Sequence, residues 1–404
     1  MPRKSERKQI QLIVIGLIAA LMGIGQNGLL VSLPFLVEHS AFSLPTWSIV
    51  IAIGSFLFLP AAPFWGRYSD KNGPKSVVIQ ALSGMSISFL LLFLFTSLSG
   101  TYSDSALYWL IGLVIARIIY GCTVAGMVPA SQHWAILLCG EENRLKAITS
   151  VSLGLSTGRL VGPILSIVLL KLDPFAPLTI MVLFPAIALF AAIWLPNPQS
   201  EPKPEKNIKQ PAPWLPHTAL LPYLMTGLML CTVIALLQYS FSPLIGSITE
   251  WPTDKISDAI GILLTISAAM TLITQIMVIK KKKLDISSMY RLGAFCLLTG
   301  FVLFLSTEIW VFAIAMAISA SGAALLVPAY TSKATQTDSD NPGAVAGYIS
   351  MSHTLGYGLA SLLASTATLS AIYPVWICIG LSACVVGVAL LKLKSTTPKE
   401  APQN

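Results

Sequence analysis

The sequence predicts an all-α integral membrane protein, with twelve transmembrane helices in two six-helix bundles and both termini in the cytoplasm. The first observation behind this is composition. Of 404 residues, 55% are hydrophobic and 10% are charged, and the mean hydropathy is +0.76. A soluble domain is about a quarter charged, so this chain lacks the ions to coat a water-facing surface. That excludes a large soluble enzyme, a disordered chain and, despite a net charge of +8, a nucleic-acid binder. The second observation is length: a helix needs roughly 20 apolar residues to cross a bilayer core, so there is room for about a dozen crossings. The third is where the basic residues fall.

Taken in order, apolar stretches predict spans at 12–37, 46–68, 76–98, 106–134, 147–170 and 177–195. The first follows Arg3, Lys4, Arg7 and Lys8 like a signal peptide. It runs too long for a signal core and lacks a small-residue cleavage site, so it is expected to be a retained helix. Residues 196–216 hold seven prolines among Lys and Glu, which reads as a cytosolic linker. Six further spans are expected at 217–246, 258–279, 288–306, 309–332, 342–368 and 371–393, dividing the chain into bundles 1–195 and 217–404.

With the N-terminus inside, 21 of 25 Lys and Arg residues fall at cytoplasmic loops or span ends, including the run Lys280 to Lys283. Only Lys171 and Lys255 fall outside, which by the positive-inside rule orients the chain. A short internal repeat supports two related halves: Val128-Pro129-Ala130 in span four recurs as Val327-Pro328-Ala329 in span ten, 199 residues on. The six cysteines show no metal or disulfide spacing and read as small packing residues.

The loop after span two reads GRYSDKNGPK over residues 66–75. It resembles the G-x-L-A-D-R-x-G-R-K signature of the major facilitator superfamily, through Gly66, Asp70, Lys71, Gly73 and Lys75; Pro74 stands where an Arg is usual. Taken alone, the loop is a tight basic turn. A carboxylate at a helix end can also meet the positive N-terminus of a neighbouring helix, and Asn341, Pro342 and Gly343 offer one at span eleven. The resemblance implies that Asp70 latches the two halves there, and it implies the family's fold, with alternating access to a central cavity.

Arg117 and Gly121 in span four resemble the family's R-x-x-x-G motif, and span five carries Gly154, Gly158, Gly162 and Pro163. The latter is similar to the antiporter motif G-x-x-x-G-P-x-x-G-G, which is associated with exporters, although Ser166 and Ile167 replace its final glycines. The plainer reading of such glycines is close helix packing.

Arg117 and Arg159 are the two basic residues inside spans. A cation in hydrocarbon is costly unless it faces a cavity or a partner, so both are candidates for substrate contact, against a structural role satisfying carbonyls. All 17 acidic residues fall in loops or at span ends. Where many proton-coupled exporters of the family carry a span-one carboxylate, this chain has Gln26 and Asn27, which do not titrate. His353 in span eleven is then the candidate proton-coupling residue, since imidazole titrates near pH ~6.5, and His133 is a weaker one. Tyr120, Gln238, Tyr239, Tyr330 and Tyr357 are candidate cavity residues, each equally at home in helix packing.

From these residues the expected function is proton-coupled export of a small organic molecule in the style of the drug:proton antiporter branch, as a monomer in the inner membrane. No cofactor, metal or nucleic acid is implied. Two embedded arginines without an embedded carboxylate favour an anionic cargo, for example a carboxylate-type siderophore. Multidrug efflux, uptake through the same fold, and a non-transporting receptor or scaffold are the alternatives. No P-loop or nucleophile constellation points to ATP-driven transport or an enzyme.

Overall fold

The computed structural model describes residues 4–140, 144–196, 216–279, 284–337 and 342–391, and among them every regular element is helical. The helices are α1 Lys4–Glu38, α2 Leu44–Asn72, α3 Pro74–Thr101, α4 Ala106–Val124, α5 Met127–Cys139, α6 Arg144–Leu170 and α7 Ala176–Trp194. They continue as α8 Leu221–Ile248, α9 Thr253–Thr274, α10 Ile286–Leu303, α11 Ile309–Thr337, α12 Pro342–Leu363 and α13 Tyr373–Leu391. Hydrocarbon offers no partner to a free N–H or C=O, so the chain satisfies its backbone locally and goes helical. Eleven membrane-spanning stretches, among the described residues, are long and apolar enough to cross a bilayer. The remaining span, the eleventh in chain order, is α12, which is more polar because it carries Ser350, Ser352, His353 and Thr354.

Three spans depart from a plain helix. Span four is a single crossing, Ala106–Cys139, broken at Ala125 and Gly126 into α4 and α5. Pro129 has no N–H to give Ala125, and a Cβ on Gly126 would sit 2.8 Å from Trp65 Cβ and 2.6 Å from Val77 Cγ1, so the chain turns tightly against α2 and α3. Span eight ends in a π-helical turn, Gln275–Ile279, and span eleven in a 3₁₀ turn, Ala364–Thr368. The α2–α3 connection is one residue, Gly73, whose φ of +87° is open to glycine and strained for other residues.

The described chain packs as two compact units, Met1–Gln210 with Phe241–Ala268, and Pro211–Ser240 with Ala269–Asn404. The first is centred on buried Ile15, Ile18, Trp47, Phe89 and Trp134, and the second on Tyr290, Phe301, Phe304, Phe312 and Tyr330. Of the expected linker, 197–215 lies outside the described residues, so the division at 196–216 stays a proposal from sequence.

Candidate transport site

The densest constellation of sequence-singled residues lies where α1 crosses α6. A Cβ on Gly154 would fall 2.0 Å from the Gly16 carbonyl oxygen, and one on Gly158 would fall 1.9 Å from that of Ala20. In return, a Cβ on Gly23 would lie 2.5 Å from Leu155 O and 2.7 Å from Arg159 N. The two backbones are therefore in contact, and the glycine stripe is a packing rail. The two departures from the antiporter motif fit the same logic. Ser166 rests on Gly28, where a Cβ would approach its Oγ to 2.8 Å, and Ile167 rests on Gly261 of α9, where a Cβ would approach its Cδ1 to 2.4 Å. Glycines opposite supply the room that the motif's own glycines would have left.

Pro163 has a second consequence. In a regular helix the N–H of residue 163 would bond the Arg159 carbonyl, and proline cannot supply it. Asn27 of α1 does instead, with Nδ2 donating to Arg159 O at 2.8 Å. The Arg159 guanidinium turns back to the same helix and donates to Gln26 Oε1 at 3.4 Å. Gln26, Asn27, Arg159 and Pro163, picked out separately in the sequence, form one half-buried group.

Arg117 sits on another seam. It is 5% exposed, lies 4.5 Å over the Tyr120 ring and packs against Gly54, where a Cβ would come within 2.9 Å of its Nη2. Phe58 and Phe89 enclose Tyr120, with ring centroids 6.0 and 5.8 Å away. Gly121 closes the seam, where a Cβ would meet Gly54 O at 2.5 Å. The arginine is thus partnered by an aromatic face inside a packed seam.

In the second unit, His353 Nε2 hydrogen-bonds the Tyr330 hydroxyl, and the rings meet edge-on at 5.8 Å. The imidazole lies over Gly227 of α8, where a Cβ would be 3.1 Å from Cδ2. Its neighbour Ser352 donates to Leu224 O, and Thr232 donates to Gly356 O at 3.2 Å. Tyr330 is fully buried, so it contacts the histidine rather than an open surface, whereas Tyr357 is 39% exposed. Gln238 and Tyr239 lie half-buried on α8.

In the loop resembling the family signature, Lys75 Nζ donates to the Ile193 and Leu195 carbonyls at 2.8 and 2.5 Å, capping the C-terminus of α7. Lys71 is exposed, and Gly66 has open space around its Cα. The side chains of Asp70 and of residues 341–344 lie outside the described residues, and so does the expected latch between them. Close by, His133 Nδ1 and Ser69 Oγ are 2.8 Å apart. Sequence reasoning missed the α1 half of the rail. Its signal was there in Gly16, Ala20 and Gly23, small residues four and three apart on one helix face.

The family description that matches this chain, over residues 15–361, is that of the Major Facilitator Superfamily. The chain belongs to that superfamily. As a member of the Major Facilitator Superfamily it is a multi-span membrane transporter and not an enzyme. Among curated proteins it is 27% identical over 180 residues to the "Staphyloferrin B transporter" of Staphylococcus aureus (strain NCTC 8325 / PS 47), covering 42% of this chain and 40% of that one. It is 29% identical over 191 residues to "Multidrug resistance protein MdtG" of Proteus mirabilis (strain HI4320), covering 45% and 44%. These matches span less than half the length of either relative. Among solved superfamily structures, that of a D-xylose-proton symporter superposes with a TM-score of 0.70 at 15% identity, covering 95% of this chain and 96% of the other. A bacterial homolog to the human lysosomal transporter Spinster superposes at 0.68 with 12% identity, covering 98% and 96%. At such identities the likeness is one of fold.

Proposed function

We propose that this protein is a secondary active exporter of a small organic anion, working by alternating access in the inner membrane and driven by protons. The observation that carries this reading is Arg159, a cation held half-buried within a span by neutral amides. Its guanidinium is left charged for a guest and matches the planar fork of a carboxylate. Arg117 adds a second interior cation, while every acidic residue falls in a loop or at a span end. The Gly158–Pro163 stretch supports export, as does the similarity to a protein named for multidrug resistance, and the similarity to a staphyloferrin B transporter supports a siderophore cargo. A polycarboxylate such as a carboxylate-type siderophore fits this field better than a lipophilic cation. His353, hydrogen-bonded to Tyr330 inside the second unit, is the proposed proton-coupling residue. Asp70 is the proposed latch.

Everted membrane vesicles with an imposed pH gradient test the reading. A tricarboxylate such as citrate should accumulate, collapse with the gradient and lose at least tenfold in rate in Arg159→Ala, while a neutral solute is spared. Equal loss of both would make Arg159 structural. Accumulation of a cationic dye without citrate would favour the second reading, broad multidrug efflux, for which the likeness to MdtG speaks. Cargo concentrated inside intact cells would instead mean uptake.

A further inference from the structure

Gln26 and Asn27 are adjacent in sequence, yet they act on opposite ends of the same arginine. Asn27 holds the Arg159 backbone, through the carbonyl that Pro163 leaves without a helix donor. Gln26 holds the guanidinium through its amide oxygen at 3.4 Å. That distance is at the long end for an N–H···O bond, where the interaction is weak. The contact orients the guanidinium and adds no charge to cancel its own. A carboxylate at the same point would be a strong internal partner, since charge-assisted pairs are about twice as strong as neutral ones.

We infer that Gln26 and Asn27 form an amide clamp that aims Arg159, and that Gln26 sets the charge selectivity of the site. Asn27 is a positioning residue. Gln26 is a neutral placeholder whose oxygen an incoming carboxylate oxygen replaces on the guanidinium. No bond is made or broken: one hydrogen-bond acceptor exchanges for another, and the cargo's negative charge meets a cation that has not been neutralised. This deepens the anion-export reading and rests on it.

The test uses purified full-length protein in detergent, with citrate as the anionic probe and tetraphenylphosphonium as the cationic one, read by thermal shift and by vesicle transport. Wild type should be stabilised by citrate and not by tetraphenylphosphonium. Gln26→Glu, similar in shape and opposite in effect, should weaken citrate binding at least tenfold while the ligand-free melting temperature holds or rises. Gln26→Leu should cost only a few-fold, because no charge is introduced. The clamp has its own cycle, independent of charge. Asn27→Ala should raise the citrate KM several-fold in wild type but barely in Pro163→Ala, where a restored N–H takes the Arg159 carbonyl.

Citrate binding that Arg159→Gln abolishes and Gln26→Glu leaves intact overturns the selectivity role and keeps the anion site. Equal Asn27→Ala effects in both backgrounds overturn the positioning role. Citrate binding that survives Arg159→Gln, or a wild type indifferent to citrate, overturns the anion site and the clamp with it.

Discussion

The α1/α6 seam of the first unit and the α8/α12 seam of the second hold the proposed cargo and proton residues, and they are assembled from different materials. Along α1/α6 the backbones touch at Gly16, Ala20 and Gly23 against Gly154, Leu155 and Gly158. Along α8/α12 the close approaches are at Gly227 and Gly356. The latter is tied by Thr232 donating to the Gly356 carbonyl, with Ser352 donating to Leu224 O one turn away. Between apolar helices in lipid no hydrophobic force is left to gain, so association rests on close packing and on interhelical hydrogen bonds. The first seam carries a run of close backbone approaches with amide bonds at one end. The second has one such approach, Gly356 against the Leu228 carbonyl, and is tied by hydroxyl bonds as well. The difference bears on the residues each one presents. A rigid rail keeps Arg159 at a constant height while amides settle its direction. The histidine is held by another side chain, so its chemistry is open to change by a proton.

The largest effect expected from this contrast is at Gly158. Its absent Cβ would fall 1.9 Å from a backbone oxygen, which cannot move aside as a side chain can. Gly158→Leu should destabilise by at least about 3 kcal/mol, seen as loss of monodisperse protein on size exclusion. If Gly158→Leu is produced and transports normally, the rail is not a packing device and the contrast fails.

Tyr330→Phe tests the other seam. It removes the hydroxyl that a half-buried histidine bonds and should cost about 1 kcal/mol in thermal stability. It should also move the pH profile of transport, because Tyr330 is the described hydrogen-bond partner of His353 Nε2. Among the described residues, the titratable groups that act on Tyr330 are Cys231 on α8, Tyr357 on α12 and Tyr290 on α10. A stability loss with an unchanged pH profile would leave Tyr330 structural and remove His353 from the coupling step.

The smallest effect expected is at a helix start outside both seams. Asp285 caps α10 by accepting from Ser287 N and Ser288 N at 3.1 and 3.2 Å. A hydrogen bond from the Ser288 side chain, followed by the backbone bonds from Ser288 and Ser287, holds its carboxyl below the usual carboxylate range. A depressed value means that the cap stabilises the fold above the ordinary pKa of Asp and fades as pH falls through the lowered one. Asp285→Ala should therefore lower the melting temperature slightly at pH 7 and converge on wild type in acid. A gap that persists in acid would make the loss one of packing.

Much of the fold was legible because hydrocarbon makes each span a local problem. The span expected at 177–195 is Ala176–Trp194, and that expected at 288–306 is Ile286–Leu303. The break at Ala125 and Gly126 was not legible, although Gly126 and Pro129 stand in the sequence, because the close approach of Trp65 and Val77 to Gly126 comes from two other helices. The site was half legible. Arg159, Gln26, Asn27 and Pro163 all stood out singly, by charge, by the absence of charge and by motif. Lys75 stood out as part of a signature and proves to cap the carbonyl end of α7, 120 residues away.

By itself the sequence determines that the chain crosses a membrane as helices, which superfamily's motifs it carries, and that the charges left inside the bilayer are positive. These follow from composition and from short-range spacing, because in lipid most backbone groups find their partner within their own helix. Which amide meets which carbonyl is decided by the tertiary structure alone. That Asn27 fills the vacancy Pro163 creates at Arg159, 132 residues along the chain, depends on the rotation and height of two helices. Those are set by how closely glycine backbones can approach, which no single helix contains.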